Sequence, residues 1–486
     1  MKRKEILTTE NTERTEVDAV GSGRSVANTE DLPDGFQMTD LGPLPKEWRV
    51  VRLGEVAEHM KAGGTPSRKE TRYWGGNIPF VLIEDMTSCG LYLASTKETI
   101  TPEGLEHSSA WLVPPGSLLL SMYATIGETC INLIPVATNQ AILAIIPSST
   151  FCPEFGAYLL KFYSGRLAQY NVQSTQKNVN KGIVENFPIP LPPLPEQRAI
   201  AHVLRAVQRA KEATEGVIAA LRELKKSLMQ HLFTYGTVAV GAKNFSPQQE
   251  TEIGSLPAHW RVVRLGEVAL LERGLSWSKA DEGSNGIGVL SIPDILTNGR
   301  LNPFPRVHLS KQVTSNKLLV KGDILLVGSS GSAENVGRSG ILREEPTSPL
   351  AFASFTIRLR GKPDALLQEF AFYLIQSSWI DFAHFSKRAA DGKYNLQLRQ
   401  LQSAFIPLPP LEEQREIARM LQAVDAKIAA KQARRAALEE MFKTLLHQLM
   451  TGKIRINDPV GAERRCAPTI SAPTTTDTFP FPKPED

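Results

Sequence analysis

One stretch of ten residues, WRVVRLGEVA, occurs twice in the chain, first at residues 48–57 and again at residues 260–269. A hydrophobic core does not require such identity, because cores tolerate exchanges among apolar residues of similar volume. A second matching pair lies downstream, IPLPPLPEQRAIA from Ile189 and IPLPPLEEQREIA from Ile406. About 130 residues that differ between the copies separate the two ends of each repeat. The sequence therefore predicts a duplicated framework that encloses two divergent blocks.

A long helical tract follows each proline-rich segment. Proline and acidic residues suit the first turn of a helix, and apolar residues then recur every three or four positions. This stripe breaks at Lys211 and Thr214 in the first tract and at Lys431 and Arg435 in the second. The stripe consists of Ile200, Leu204, Val207, Ile218, Leu221, Leu228, Leu232, Ile417, Leu421, Val424, Ile428, Leu438, Phe442, Leu445 and Leu449. An apolar stripe on a rod of about 55 Å must be covered. We predict an antiparallel coiled coil of the two helices; separate packing of each helix on its own domain is the alternative.

The divergent blocks have the composition of mixed α and β structure. Segments such as GSLLLSMYATIGETCINLI and GDILLVGSSGSAENVGRSGIL indicate buried strands around glycine turns. The predicted fold class is α+β, with two mixed α/β domains related by an internal pseudo-two-fold repeat and joined by the two long helices. The predicted parts are a disordered amino-terminal arm at 1–40, a first domain at 41–193, a first helix at 194–236, a linker at 237–252, a second domain at 253–409, a second helix at 410–452 and a disordered Pro/Thr-rich tail at 457–486.

Composition narrows the class of protein. No apolar run approaches the roughly 20 residues of a membrane helix, and the basic amino-terminal tip lacks the apolar segment of a secretory signal. The four cysteines, none of them in a C-x-x-C pair, indicate buried thiols in a reducing compartment. We therefore expect a cytoplasmic protein.

Catalytic signatures are missing from the sequence. It contains no P-loop, no G-x-G-x-x-G that opens a helix, no H-E-x-x-H and no G-x-S-x-G. Paired carboxylates such as Glu84 and Asp85 occur, but adjacent strand residues point to opposite faces and do not cooperate. We predict neither a catalytic residue nor a metal site in this chain.

Loops rich in basic, small and aromatic residues remain, and KAGGTPSRKETRYWGG at residues 61–76 is the best of them. Its basic side chains can hold phosphates, its hydroxyls can donate to them, and we expect Gly63 and Gly64 to let backbone amides approach a phosphate. Residues 41–190 hold twelve basic and twelve acidic residues, whereas residues 253–408 hold eighteen and thirteen. The second block therefore favours polyanion binding, while the first does so only locally. For any single loop, an ordinary solvated turn is the alternative.

Residues 41–456 resemble the specificity subunit of a type I restriction–modification system. The resemblance rests on LPKEWRVVRLGEVA, GGTPS followed by YWGGNIPF, ATNQAI and FPIPLPPLPEQRAIA, with the second-copy counterparts LPAHWRVVRLGEVA and FIPLPPLEEQREIA. It implies two target recognition domains, each of which reads one half of an asymmetric bipartite DNA sequence, and a helix pair that sets the spacer between the halves. A tandem repeat in one chain then mimics a two-fold dimer and offers equivalent surfaces to two identical partners.

The resemblance also implies partners and cofactors. The partners would be double-stranded DNA, two modification subunits that methylate adenine, and separate restriction subunits that translocate and cleave DNA. S-adenosylmethionine, ATP and Mg would belong to those partners, and this chain would bind no cofactor and catalyse no reaction.

The candidate DNA contacts are spread over both blocks. In the first block they are Lys61, Gly63, Gly64, Thr65, Ser67, Arg68, Lys69, Arg72, Tyr73, Trp74, Tyr123, Thr125, Gln176, Lys177 and Asn178. In the second they are Arg273, Trp277, Ser278, Lys279, Ser329, Ser330, Arg338, Lys387, Arg388, Lys393 and Tyr394. The loop GLSWSKADEGSNG matches the GGTPS loop in position only, so the DNA contacts of the second block are predicted without a sequence match to the first.

Two other readings of the sequence stay open. A fused enzyme with its own methyltransferase would need an N-P-P-[YF] motif and a cofactor glycine loop, and the sequence has neither. A structural adaptor that presents two protein-binding modules would need no DNA loops. Salt-dependent, sequence-selective retention on DNA separates the adaptor from the specificity subunit.

Overall fold

The computed structural model describes residues 32–123, 125–169, 179–237, 247–377 and 379–456. The chain divides into two compact units: unit 1 consists of residues 1–208 with 440–486, and unit 2 of residues 209–439. Among the described residues, no helix combines the length and the apolar content that a membrane span requires.

Unit 1 is built around a sheet of buried apolar strands. Its strands are β1 Phe36–Thr39, β2 Gly42–Pro45, β3 Arg49–Arg52, β4 Ala57–Ala62, β5 Trp74–Val81, β6 Tyr92–Leu93, β7 Glu98–Ile100, β8 Leu118–Ser121, β9 Thr129–Asn132, β10 Ala137–Thr138, β11 Ile142–Pro147 and β12 Pro188–Leu191. Five of them pair in the order β4-β11-β8-β9-β6, and β10-β5-β7 form a second sheet. Strands β8 and β9 are buried along their whole length. The apolar run of β8 suits such burial, whereas β9 (TCIN) also buries the polar side chains of Thr129 and Asn132.

Helices cover this sheet. They are α1 Ile83–Ser88, α2 Pro102–Glu106, α3 Pro153–Phe162, α4 Ser164–Gln169, α5 Lys181–Glu185 and the first part of α6, which spans Leu194–Tyr235. The apolar face of α3 shares one core with β8, β11 and the start of α6.

Unit 2 repeats this plan with its own side chains. Its strands are β13 Gln248–Thr251, β14 Gly254–Pro257, β15 Arg261–Arg264, β16 Ala269–Arg273, β17 Glu282–Leu290, β18 Val307–Leu309, β19 Ile324–Val327, β20 Ser329–Ser330, β21 Ser339–Ile341, β22 Leu350–Phe352, β23 Thr356–Gly361, β24 Ser386–Arg388, β25 Tyr394–Leu396 and β26 Phe405–Leu408. Its helices are α7 Leu265–Val268, α8 Gln368–Gln376, α9 Leu398–Gln402, the rest of α6 and most of α10, which spans Leu411–Met450. The sheets run β16-β23-β19-β21, β18-β17-β22 and β20-β25-β24.

The duplicated segments meet in each unit. Strand β3 pairs antiparallel with β12 in unit 1, and β15 pairs with β26 in the same way in unit 2. The indole N–H of Trp48 donates to Glu196 over 3.0 Å, and that of Trp260 donates to Glu413 over 2.9 Å. In each copy, the tryptophan of the first repeated segment thus holds the glutamate of the second repeated segment, which lies at the start of the long helix. This contact explains why the two ends of each repeat are duplicated together.

The residue after this glutamate ties the helix start to the rest of the unit. The Gln197 side chain accepts from the Cys152 N–H and donates to the carbonyl of Pro192. Gln414 makes the equivalent bonds, accepting from the Leu367 N–H and donating to the Pro409 carbonyl. These side-chain hydrogen bonds fix the first turn of each long helix relative to the segments around it.

Replacing Glu413 with alanine should lower the stability of the chain. Its carboxylate accepts from the indole N–H of Trp260 and from the backbone N–H of Thr237, so its loss leaves partly buried donors unpaired. We expect a loss of about 2 kcal/mol in the free energy of unfolding, measured by chemical denaturation. Glu412→Ala is the matched control, since that side chain is 88% exposed and should cost little. Equal losses in the two variants would contradict this role of Glu413.

Two hairpins lie inside segments that the sequence predicted to be irregular. Strands β1 and β2 pair from Phe36 to Pro45, so the predicted arm at 1–40 is too long. Strands β13 and β14 pair from Gln248 to Pro257, so the predicted linker at 237–252 is also too long. Strand β1 (FQMT) alternates apolar and polar residues over only four positions, and β13 (QQET) has no apolar residue, so neither stands out as a strand in the sequence. Residues 1–31, the tail at 457–486 and linker residues 238–246 lie outside the described part of the chain.

Contacts between the two long helices show their direction within unit 2. Lys211 pairs with Glu439 over 2.7 Å, and Lys225 pairs with Asp425 over 2.7 Å. Residue numbers rise along α6 as the partner numbers fall along α10, so the paired segments run antiparallel there. All fifteen residues of the predicted stripe are buried or half-buried. Thr214, a predicted break, is also buried and donates its hydroxyl to the Ala210 carbonyl.

Candidate nucleic-acid interface

Four segments of unit 1 meet beyond the end of β8. Thr65 donates its hydroxyl to Gln140 over 2.7 Å, and the Met122 N–H donates to the Ala141 carbonyl over 2.8 Å. The Val179 N–H in turn donates to the Met122 carbonyl over 3.1 Å. We define face 1 as residues 61–74, 122–123, 125, 139–141 and 179. It brings together most of the predicted contacts of the first block; Gln176, Lys177 and Asn178 lie outside the described residues.

The two glycines of face 1 do not offer amides to a ligand. Both are buried, and their N–H groups donate to the carbonyls of Ile142 and Thr138. A Cβ on Gly63 would lie only 1.9 Å from the Thr138 carbonyl oxygen. The prediction that these amides bind phosphate is therefore wrong, and glycine is needed because two backbone segments approach closely.

Acidic neighbours and an aromatic ring hold two of the basic side chains of face 1. The Arg68 guanidinium lies 3.8 Å from the centre of the Trp74 ring and 2.8 Å from Glu98. Arg72 pairs with Glu103 over 3.1 Å, and this carboxylate raises the pKa of the arginine. The positive charge available from these two arginines is therefore small.

The other predicted residues of face 1 differ in exposure. Lys61 and Lys69 are exposed, and neither has a carboxylate within 4.0 Å in the described part of the chain. Ser67, Tyr123 and Thr125 are exposed as well. Tyr73, in contrast, is buried against the ring of His107, and this predicted contact is wrong because its ring does not reach the surface.

Unit 2 contains a corresponding face. The Gly328 N–H donates to the Phe355 carbonyl over 2.8 Å, and the Leu396 N–H donates to the Gly328 carbonyl over 2.9 Å. These bonds repeat the pattern of Met122, Ala141 and Val179 in unit 1. The Ser354 N–H also donates to the carbonyl of Leu275. We define face 2 as residues 273–279, 328–330, 353–356 and 386–396.

The glycine-containing loop is equivalent in the two faces. A Cβ on Gly274 would lie 2.1 Å from the Phe352 carbonyl oxygen, just as one on Gly63 would meet Thr138. The Leu275 N–H donates to the same Phe352 carbonyl, as the Gly64 N–H does to Thr138. The loop GLSWS therefore shares the backbone arrangement of GGTPS, although the sequences agree only in position.

A basic hairpin forms the most positive part of face 2. Lys387 and Arg388 lie on β24, Lys393 directly precedes β25, and all three are exposed. Lys393 has an exposed partner in Asp391 at 3.4 Å, and Tyr394 is half-buried beneath Arg388. Lys279 adds an exposed amine from the neighbouring loop. Such a cluster of exposed cations suits contact with DNA phosphates.

Several predicted contacts of the second block instead hold the face together. Arg273 donates to the carbonyls of Ser354 and Leu396, and burial lowers its pKa, although a guanidinium stays charged. It joins the turn at 353–356 to the hairpin. Arg338 is half-buried and donates to the Ile292 carbonyl, and it lies outside face 2 as defined. Arg273 thus uses two of its five N–H donors and Arg338 one of its five on backbone carbonyls, which gives both side chains a structural role. Their assignment as direct DNA contacts stays a prediction.

The remaining polar residues of face 2 are also engaged locally. Ser329 is buried in β20, and Ser330 is half-buried and accepts from the Ser332 N–H. Ser278 donates to Asp281 and is exposed, while the Trp277 indole donates to Glu282. These contacts fix the shape of the loops. Of the three serines, Ser278 has the most accessible hydroxyl.

Sequence reasoning missed one residue of face 2 altogether. Phe355 belongs to FASFTIRLR, whose apolar and β-branched residues indicate a buried strand, yet its side chain is 51% exposed. It lies in a turn closed by the Thr356 N–H, which donates to the Ala353 carbonyl. An apolar residue among apolar neighbours carries no local signal for a turn.

Comparison with known proteins identifies the family. The model of the type I restriction modification DNA specificity domain matches residues 45–223 and again residues 257–440. The type I restriction enzyme MjaVIII specificity subunit of Methanocaldococcus jannaschii is 25% identical over 430 residues, which cover 85% of this chain and 95% of that subunit. The EcoKI specificity subunit of Escherichia coli K12 is 23% identical over 396 residues, which cover 78% and 82%.

Solved structures show the same fold. A chain from a type I R-M system, determined in work on complex assembly and conformational transition, gives a TM-score of 0.53 at 21% identity and covers 85% of this chain and 99% of its own length. The Type-I restriction-modification S subunit from M. genitalium gives 0.51 at 14% identity and covers 83% and 96%. The two family-model matches fall one in each repeat and together cover well over half of the 486 residues, so this chain belongs to the family of type I restriction–modification specificity subunits.

Proposed function

We propose that the chain is the DNA-recognition subunit of a type I restriction–modification complex and that faces 1 and 2 each read one half of an asymmetric bipartite sequence. The observation that carries the proposal is the shared backbone frame of the two faces, which presents different side chains in each. Where face 1 exposes Tyr123, face 2 has the buried Ser329; where face 1 has Ala141, face 2 exposes Phe355. Side chains that differ on one frame suit the reading of different base edges.

The two long helices are proposed to form an antiparallel coiled coil that sets the spacing between the half-sites. The ion pairs Lys211–Glu439 and Lys225–Asp425 and the buried stripe support this role. Half-site spacing on DNA follows protein geometry, so the length of the helix pair would fix the number of unread base pairs.

Lengthening both helices by one turn should lengthen the spacer. Matched insertions of four residues after Leu221 in α6 and after Ile428 in α10 add about 6 Å, which corresponds to about two base pairs. Both insertion points lie one turn from the Lys225–Asp425 pair, so the register on either side is kept. The spacer is measured from the methylated sequence in vivo. An unchanged spacer with both half-sites intact would refute the helix pair as a ruler.

The partners follow from the same proposal. Two modification methyltransferase subunits would dock on the equivalent frames of the repeat and supply S-adenosylmethionine, and restriction subunits would supply ATP and Mg chemistry. This chain would contribute recognition and no catalytic group. Its duplicated Trp–Glu contacts support two equivalent docking frames.

Single-molecule sequencing of modified adenines in host DNA, with and without this gene, tests the proposal. We expect deletion to abolish methylation at one gapped, asymmetric sequence and re-expression to restore it. An unchanged methylation pattern, in a host whose methyltransferase co-purifies with the chain, would reject the recognition role and favour an adaptor.

A further inference from the structure

Phe355 is the most exposed aromatic side chain of face 2. Within residues 350–359, its neighbours Ala353 and Thr356 are buried, Ser354 is half-buried, and Phe355 alone is exposed. Its ring is therefore turned outward from a segment that otherwise faces the core. Single exposed apolar side chains are common on protein surfaces, so the exposure of Phe355 matters here because the ring lies on face 2.

The turn that carries Phe355 is held rigidly. The Phe355 carbonyl accepts from Gly328, and the Ser354 carbonyl accepts from the Arg273 guanidinium. The Ser354 N–H donates to Leu275, and Thr356 donates both its N–H and its hydroxyl to the Ala353 carbonyl. With these backbone groups occupied, the phenyl ring is the main chemical group that the tip of the turn offers to a ligand.

A phenyl ring restricts what can be read on DNA. It neither donates nor accepts a conventional hydrogen bond, so it cannot distinguish the polar groups of the base edges. The apolar group displayed in the major groove is the C5-methyl of thymine. Arg273 bonds both to Ser354, next to Phe355, and to Leu396 in the basic hairpin, so the turn and the hairpin belong to one face. An exposed phenyl ring on this face suits the methyl contact while the cations of the hairpin hold the phosphates.

We propose that Phe355 is a specificity-determining residue that contacts the methyl group of a thymine in the half-site read by face 2. The inference rests on the proposed DNA-recognition function and names one base contact within it. Face 1 has Ala141 at the equivalent backbone position. We therefore expect this thymine methyl contact in the half-site read by face 2 and not in the one read by face 1.

The test uses the full complex with its methyltransferase subunits and duplexes that carry the methylated target sequence. Each thymine of the face 2 half-site is replaced in turn by deoxyuridine, which removes only the methyl group. We expect one position at which this replacement weakens binding roughly fourfold, as the loss of one buried methyl contact of about 0.8 kcal/mol does. Phe355→Ala should weaken binding to the thymine duplex by at least as much.

The double-mutant cycle identifies the contact. Phe355→Ala should bind the thymine and deoxyuridine duplexes equally, whereas Phe355→Leu should keep part of the thymine preference through its apolar side chain. Phe304→Ala is the matched control, since that ring is 77% exposed in unit 2 and lies outside face 2. It should leave both affinities and the thymine preference unchanged.

Three results would overturn the inference: a half-site without thymine, deoxyuridine tolerated at every position, or a Phe355→Ala variant that still prefers thymine over deoxyuridine at the sensitive position. Each leaves the wild-type complex selective for its target sequence. Loss of selectivity in the wild-type complex itself would instead contradict the proposed function, so the two failures are distinguishable.

Discussion

Alanine at Lys387, Arg388 and Lys393 together will weaken the binding of the assembled complex to its target DNA about 100-fold at 0.15 M salt. The three side chains are exposed on one hairpin of face 2, where the phosphates of a bound duplex would release their counterions. Each phosphate contact contributes about 0.9 to the slope of log affinity against log salt concentration, so the slope should fall by about 2.7. Binding titrations at four or more salt concentrations measure both quantities.

A charge-matched triple variant separates a local contact from general electrostatics. Arg300, Lys321 and Lys362 are exposed in the same unit but lie near the opposite end of the central strands. Lys321 precedes β19 and Lys362 follows β23, whereas face 2 lies at the other ends of these two paired strands. Their replacement by alanine should change the salt slope by less than 1. Equal slopes for the two triple variants would remove the hairpin from the DNA interface.

Aspartate at Ile218 will disrupt the helix pair and, with it, assembly with the methyltransferase subunits. The Ile218 side chain lies within α6 and is only 5% exposed, so its replacement places an unpaired charge in an apolar contact. We expect a loss on the order of 4 kcal/mol in the free energy of unfolding. Chemical denaturation measures the loss, and size-exclusion chromatography of the co-expressed subunits measures assembly.

The neighbouring residue provides the control for this variant. Val217 is also β-branched and lies one position earlier on the same helix, but its side chain is 42% exposed. Val217→Asp should change stability by less than about 0.5 kcal/mol, as surface substitutions commonly do. If both aspartate variants assembled normally, the stripe of α6 would have no role in holding the complex together.

The parts of the fold that could be predicted from the sequence are those that depend on local patterns of residues. The stripe that predicts a helix at 194–236 has its counterpart in α6 at Leu194–Tyr235. The segment GSLLLSMYATIGETCINLI, which predicts buried strands, contains β8 and β9. The repeat itself pointed to a framework, and the structure shows its basis in the Trp48–Glu196 and Trp260–Glu413 bonds. Helices, strands and repeats can be recognised in this way because short stretches of sequence are enough to identify them.

The details of the two faces depend on contacts between distant residues, which no local pattern reports. Gly63 is needed because Thr138, which lies 75 positions later in the chain, packs its carbonyl against it. Arg273 resembles a phosphate ligand in the sequence, but two of its N–H donors bind the carbonyls of Ser354 and Leu396. Phe355 resembles a core residue until the turn that exposes it is known. Which residues contact a ligand is decided by these long-range hydrogen bonds.

Exchange of residues 61–186 for the corresponding segment of a related specificity subunit tests the central claim most directly. The segment contains every described residue of face 1 and none of face 2, and the strands β3 and β12 that frame it stay in place. Sequencing of modified adenines in cells that carry the chimera should show a new sequence in one half of the methylated target. The other half and the spacer length should be those of the parent. A change in both halves, or in neither, would contradict the account of two independent reading faces on one duplicated frame.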